Sequence, residues 1–128
     1  MGSWVDGRGV LAVADVEVPV EVAASYRART RGLLGRDGIV GALLLTPASG
    51  VHTFGMRFAI DVAYLDRELV VVDVCTLRPG RLGRPRWRAR HVVEAEAGAL
   101  ARWGVRRGVR VRVREQGRDG AGDTNAGG

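Results

Sequence analysis

Few side chains in this sequence could do chemistry, and most of them fall in two short stretches. Residues 51–66 read VHTFGMRFAIDVAYLD and hold His52, Thr53 and Asp61. Residues 91–97 read HVVEAEA and hold His91 and Glu94. Brought together, Asp61 and Glu94 are a carboxylate pair that could work as acid and base or bind sugar hydroxyls. His52 could join them as a general base, with Thr53, Asp61 and Glu94 as the partners in reach of the motif regions. Such a set makes a small hydrolytic or carbohydrate-active enzyme. Without catalysis, His52, Thr53, Asp61 and Glu94, flanked by Trp87, would line a cleft for a small ligand or a partner protein.

Each of these residues also has a structural reading. A buried Asp61 must be paired or hydrogen-bonded. Backbone amides could do this, or Arg31 or Arg36 near a helix end, so that a charge-assisted bond locks helix to sheet. Glu94 and Glu96 stand two apart on one strand, the spacing of a solvated face. A lone histidine on a strand is commonly a hydrogen-bonded structural residue. No short ligand spacing such as His-x-x-x-His is present, so neither a metal nor a cofactor is expected. Cys75 reads as a buried, inert thiol on a face with Leu69, Val71 and Leu77.

A second class of chemistry is electrostatic. All twenty basic residues are arginine and the formal net charge is +6. The segment RPGRLGRPRWRAR, residues 78–90, sets Arg81, Arg84, Arg86 and Arg88 around Trp87. Guanidinium groups bind phosphates and a tryptophan stacks on bases, so the loop is a candidate anion or nucleic-acid surface. No glycine-rich phosphate loop or helix-turn-helix pattern accompanies it, which points to non-specific polyanion attraction.

The elements that would position these groups are legible from hydrophobic period. At 128 residues the chain suits one domain. Residues 1–9 read as a loosely attached, flexible start and 115–128 as a disordered tail, which leaves 10–114 as the domain. VLAVADVEVPVEVA (10–23) reads as two short strands, or one kinked at Pro19. In SYRARTRGLLGR (25–36) the period changes to helical. Ser25 is a plausible N-cap, Tyr26, Thr30, Leu33 and Leu34 share a face, and Gly32 or Gly35 ends the helix. GALLLTP (41–47) is an apolar strand. FAIDVAYLD (58–66) alternates, with Phe58, Ile60, Val62 and Tyr64 facing one way and Ala59, Asp61, Ala63 and Leu65 the other. LVVVDVCTL (69–77), apolar on both faces, reads as a central strand. HVVEAEA is a further strand, AGALARWG (97–104) a short helix closed by Gly104. In VRRGVRVRVR (105–114), Val109, Val111 and Val113 turn inward and the arginines outward. Many short strands with two short helices predict a mainly β domain, a compact sandwich or partly closed barrel. One cysteine and the absence of a signal-peptide pattern or long apolar run predict a soluble cytoplasmic protein.

The order of RGLLGR (31–36), GALLLTP (41–47), FAIDVAYLD (58–66), VVVDV (70–74), HVVEAEAG (91–98) and GVRRGVRV (104–111) resembles that of the domain of unknown function 192 family. The likeness spans residues 10–114. It departs at Ala59, where the family has the proline of a Pro-Leu-Asp segment, and at HTFGMRF, where many members carry Trp-Met-Lys-Asn-Thr. The resemblance implies a β-rich, jelly-roll-like fold and no established activity. Relatives in actinobacteria suggest an accessory role beside pilus or secretion machinery. The leading expectation is therefore a non-catalytic ligand- or protein-binding accessory domain.

Overall fold

The computed structural model describes residues 4–116 of the chain. Nine strands and two short helices follow in order: β1 (Gly7–Val13), β2 (Val16–Ala23), α1 (Tyr26–Arg31), β3 (Ala42–Leu45), β4 (Val51–His52), β5 (Ile60–Leu65), β6 (Val71–Leu77), β7 (Leu82–Gly83), β8 (His91–Glu96), α2 (Ala99–Trp103) and β9 (Arg112–Glu115). The domain is mainly β, as the alternating Val-rich runs predict. Seven strands form one mixed sheet in the order β6-β5-β8-β3-β2-β1-β9, and β4 and β7 make a separate two-stranded ribbon.

β1 and β2 are a hairpin in register from Gly7↔Val22 to Val13↔Val16. The first strand therefore starts at Gly7, not at Val10. The polar residues before it are tied down too: Asp6 accepts hydrogen bonds from the Ala24 and Ser25 amides and from the Ser25 hydroxyl. Pro19 sits in β2 just before the parallel ladder with β3, which begins at Val20↔Ala42. There its missing N–H breaks no bond to β3. Gly41, at φ 79°, lets β3 start against the Pro19 carbonyl, a space that a Cβ would fill.

The sheet does not close, but its ends are tied together. Val71 N donates to the Val109 carbonyl, Val111 N to that of Leu69 and Gly108 N to that of Val71. Inside the curl lies one core of Leu11, Val13, Val20, Val22, Leu44, Leu65, Val71, Val93, Leu100 and Val111. On the outer face a second core joins Leu43, Leu45, Ile60, Val62, Tyr64 and Val92 to Leu33, Ile39, Met56 and Ala89 from the connecting segments. Each fully buried Leu or Val contributes about 1.5–3 kcal/mol, so both faces are stabilising.

Three expectations are corrected here. β6 is an edge strand, not a central one. Its ladder with β5 runs Leu65↔Val71 and then Tyr64↔Asp73, so Val72 is an extra residue, a bulge. The bulge puts Val71 in the inner core and Cys75 and Leu77 against the outer one, and Cys75 is only partly buried. Finally, α1 buries none of its own residues. Tyr26 is 77% exposed, and the apolar anchor is Leu33, beyond the helix. Ser25 does cap it, accepting from the Ala28 amide, and Gly32 ends it. The Arg110, Arg112 and Arg114 side of the last segment faces out and Val111 faces in, as the alternation predicts. The tail expected from 115 onward begins inside β9, and residues 117–128 lie outside the described part.

Candidate functional site

Strand register decides which chemical groups can meet. Across β3, β8 and β5 the rows are Leu43↔Glu94↔Val62 and Ala42↔Ala95↔Asp61. Leu43 and Val62 belong to the outer core, Ala42 and Ala95 to the inner one. Glu94 and Asp61 therefore point through opposite faces of the sheet. They cannot act as a pair on one substrate, and the acid–base reading that joins them with His52 is excluded by geometry.

Asp61 is 5% exposed and its carboxylate is saturated with donors. Oδ1 accepts from the Thr76 hydroxyl at 2.7 Å, and Oδ2 from the amides of Gly98 at 2.8 Å and Leu100 at 3.2 Å. Gly98 has no side chain to cap α2, and Asp61 caps it from the neighbouring strand. Neither expected arginine takes part. Arg36 makes a two-pronged ion pair with Glu21, both contacts at 2.8 Å, and Arg31 is exposed on the far side of the sheet from Asp61.

Glu94 is the opposite case. It is 3% exposed, not on a solvated face, and no described residue donates to its carboxyl. Burial alone pushes its pKa up to about 7. It lines a cavity of about 110 Å³ between the end of α1 and the segment carrying β4. The remaining wall is Arg29, Thr30, Arg31, Gly32, Leu33, Leu34, Leu45, Gly50, Val51, His52 and Met56. His52 is exposed at this cavity, its Nδ1 accepts from the Phe54 amide at 3.2 Å, and its ring stacks on Phe54 at 5.0 Å. Leu82, the cross-strand partner of His52, is 72% exposed and Phe54 51%, so an apolar ledge stands beside the cavity.

The other candidates are dispersed. Thr53 is fully buried and works as a staple: its hydroxyl donates to the Arg78 carbonyl at 2.6 Å and accepts from the Arg81 amide at 2.8 Å. Its burial keeps it out of contact with a ligand at the surface. Trp87 is 85% exposed, but it borders a separate cleft of Asp66, Arg67, Glu68, Arg88 and Arg90. His91 is buried against Thr46, with Nδ1 2.8 Å from Oγ1, and meets Trp4 edge-on. It does not line the cavity that His52 borders, and no cluster of metal-binding side chains occurs among the described residues. Arg86 is taken as well. It bridges to Asp73 at 2.8 Å and lies over the Tyr64 ring at 4.3 Å, while Arg81, Arg84 and Arg88 stay exposed. Tyr64 is a further buried polar group: its hydroxyl makes no hydrogen bond of good geometry among the described residues, and burial, with Cys75 beside it, pushes its pKa up to about 12.

The family model of domain of unknown function 192, described as Uncharacterized ACR, matches residues 10–113. The chain belongs to this family. Among curated members it is 34% identical over 87 residues to UPF0127 protein PH1112 of Pyrococcus horikoshii, covering 64% of this chain and 76% of that one. It is 36% identical over 87 residues to UPF0127 protein PYRAB11210 of Pyrococcus abyssi, covering 64% and 74%. The family fold is present in solved structures. A protein of unknown function from Novosphingobium aromaticivorans superposes with TM-score 0.69 at 15% identity, over 82% of this chain and 83% of that one. A Sinorhizobium meliloti protein superposes with TM-score 0.72 at 18% identity, over 88% and 97%. These two likenesses concern the fold alone. No helix among the described residues of this family member is long and apolar enough to cross a membrane.

Proposed function

We propose that this protein is a non-catalytic binding domain that takes a small ligand, or the tip of a partner protein, into the cavity over Glu94. The observation that supports this reading is the Glu94 carboxyl itself. Leaving a buried carboxyl without a partner costs several kcal/mol when it is charged, and a strand position between Leu43 and Val62 would accept an apolar residue at no such cost. Destabilising groups of this kind belong with sites that bind. The His52–Phe54 stack and Leu82 give an incoming group an apolar surface to cross.

Catalysis has weaker support. Glu94 has His52 near it, but the Thr30 hydroxyl on the same wall is bonded to neither of them, and the Thr53 hydroxyl is spent on the 78–81 turn. A cytoplasmic location, which suits a single cysteine, belongs to the same reading. The test is a screen of chemically mixed fragments, read by methyl NMR shifts of Leu33, Leu45 and Met56. Binders that lose their effect in Glu94→Gln and in the cavity-filling Leu45→Trp are expected. A screen in which no fragment perturbs these methyls would overturn the reading.

A second reading rests on a different observation. Trp87 is exposed beside Arg88, and Arg81 and Arg84 stand free on the same loop. This surface suits weak, non-specific polyanion attraction, in parallel with the cavity and independent of it.

A further inference from the structure

We propose, building on the pocket reading above, that the group bound over Glu94 is a primary alkylammonium. Its nitrogen sits on the Glu94 carboxylate and its methylene stem packs against Leu33, Leu45 and Met56.

Charge carries the argument first. Of the nineteen arginines among the described residues, none reaches this carboxyl. Arg29 borders the cavity but is turned away, its Nε towards the Ala24 carbonyl at 3.4 Å and its Nη1 towards that of Pro47 at 3.3 Å. Arg31 lies exposed at the rim, and His52 accepts from the Phe54 amide. On the sheet, the flanking side chains are Leu43 and Val62. Among the described residues the carboxyl thus has no ion-pair partner: either a proton neutralises it or a cation brought by the occupant does.

Size and lining carry it further. A cavity of about 110 Å³ is smaller than the roughly 150 Å³ that holds a benzene ring. It suits a compact head with a stem of about three or four carbons. Its buried lining beside Glu94 is Leu33, Leu45 and Met56, against which methylene groups pack, while the exposed Thr30, Arg31 and His52 make the rest of the lining polar and basic. A guanidinium would engage a carboxylate through a wide planar fork, as Arg36 does with Glu21, and the small volume favours the more compact ammonium head. The chain contains no lysine, so none of its own side chains presents this chemistry. Either a free alkylamine or a lysine side chain of another protein presents this chemistry.

The experiment is a carboxyl-carbon NMR titration of Glu94 in the full chain. The probes are n-butylamine, n-butanol, butyrate and Nα-acetyl-lysine amide. Butylamine is expected to bind at roughly millimolar concentration, as a ligand of so few atoms should. At saturation it should lower the Glu94 titration midpoint by about one pH unit or more, because a bound cation favours the carboxylate. Its effect on the Leu33 and Leu45 methyls should vanish in Glu94→Gln. Tighter binding of the lysine amide than of butylamine supports a side-chain source, and weaker binding supports a free amine. Butanol or butyrate binding as well as butylamine overturns the ammonium assignment and leaves the pocket reading standing. A fragment screen with hits outside this set does the same if all four probes leave Glu94 unmoved.

Discussion

Glu94 and Asp61 are both nearly buried acids on adjacent strands, and their surroundings make them opposites. Three donors satisfy Asp61, and among the described residues none satisfies Glu94. The consequence for Glu94 is a pH dependence with a definite sign. Its pKa in the folded protein is raised from 4.5 to about 7. Between those values the folded state holds more protons than the unfolded one, so this residue's contribution is fully present below about pH 4.5 and is lost as pH rises through 7. At roughly 1.4 kcal/mol per pH unit the loss is on the order of 3 kcal/mol. Glu94→Gln should therefore be more stable than wild type by roughly 1–2 kcal/mol at pH 8, since the amide is still a buried polar group, and near neutral at pH 4.5. Urea unfolding of both proteins at the two pH values measures this; a variant less stable at pH 8 would show that the carboxylate has a partner. His91, whose pKa burial lowers, acts with the opposite sign and cancels in the comparison.

Elements here are held by side chains from outside themselves. The five-residue α2 is too short to be stable alone, and Asp61 on β5 supplies its N-terminal cap. Asp61→Ala should cost about 2–3 kcal/mol, because two amides and a hydroxyl lose their acceptor. Asp61→Asn should cost less, about 1 kcal/mol. Its carbonyl can still accept from the amides while the Thr76 hydroxyl turns to accept from its NH2. Denaturant midpoints rank the two, and an equal cost would mean that charge, not geometry, holds the helix. The arginine loop is organised in the same way. Thr53 closes the 78–81 turn with its hydroxyl and both of its main-chain groups. Thr53→Val should cost about 1–3 kcal/mol and speed hydrogen exchange at the Arg81 amide before that of the sheet. Unchanged exchange at Arg81 would remove Thr53 from this role.

For the molecule as a whole, the decisive contacts join its two ends. The segment Val105–Val111 fills the inner core and bonds the β6 edge, while β9 pairs with β1. A chain cut after Gly104 is expected to lose cooperative thermal unfolding, since it would lose Val105 and Val111 and leave two sheet edges bare. A sharp melt from that chain would show that the sheet is self-sufficient. Charge also acts on this scale. With a net charge of +6, retention on heparin should fall steeply as salt rises, and reversing Arg81, Arg84 and Arg88 together should shift elution to lower salt. Retention that ignores these three residues would assign the attraction to the general surface.

Much of the fold is legible in the sequence because it follows from period. Alternation in FAIDVAYLD sorted Ile60, Val62 and Tyr64 from Asp61, Ala63 and Leu65 correctly, and the same rule turned Val111 in and Arg110 and Arg112 out. Ser25 and Gly104 marked helix ends for reasons that lie within a few residues of each. The site was not legible in this way. Alternation says that Asp61 has a face and that Glu94 has a face, but whether they share it depends on the β5–β8 register, and a slip of one residue would have reversed the answer. The bulge at Val72, the edge position of β6 and the pairing of Arg36 with Glu21 are equally non-local. Residue type and spacing settle which groups exist and how each segment repeats. Which groups meet is settled by pairing between segments far apart in the chain, and that information is in the packing of the folded molecule.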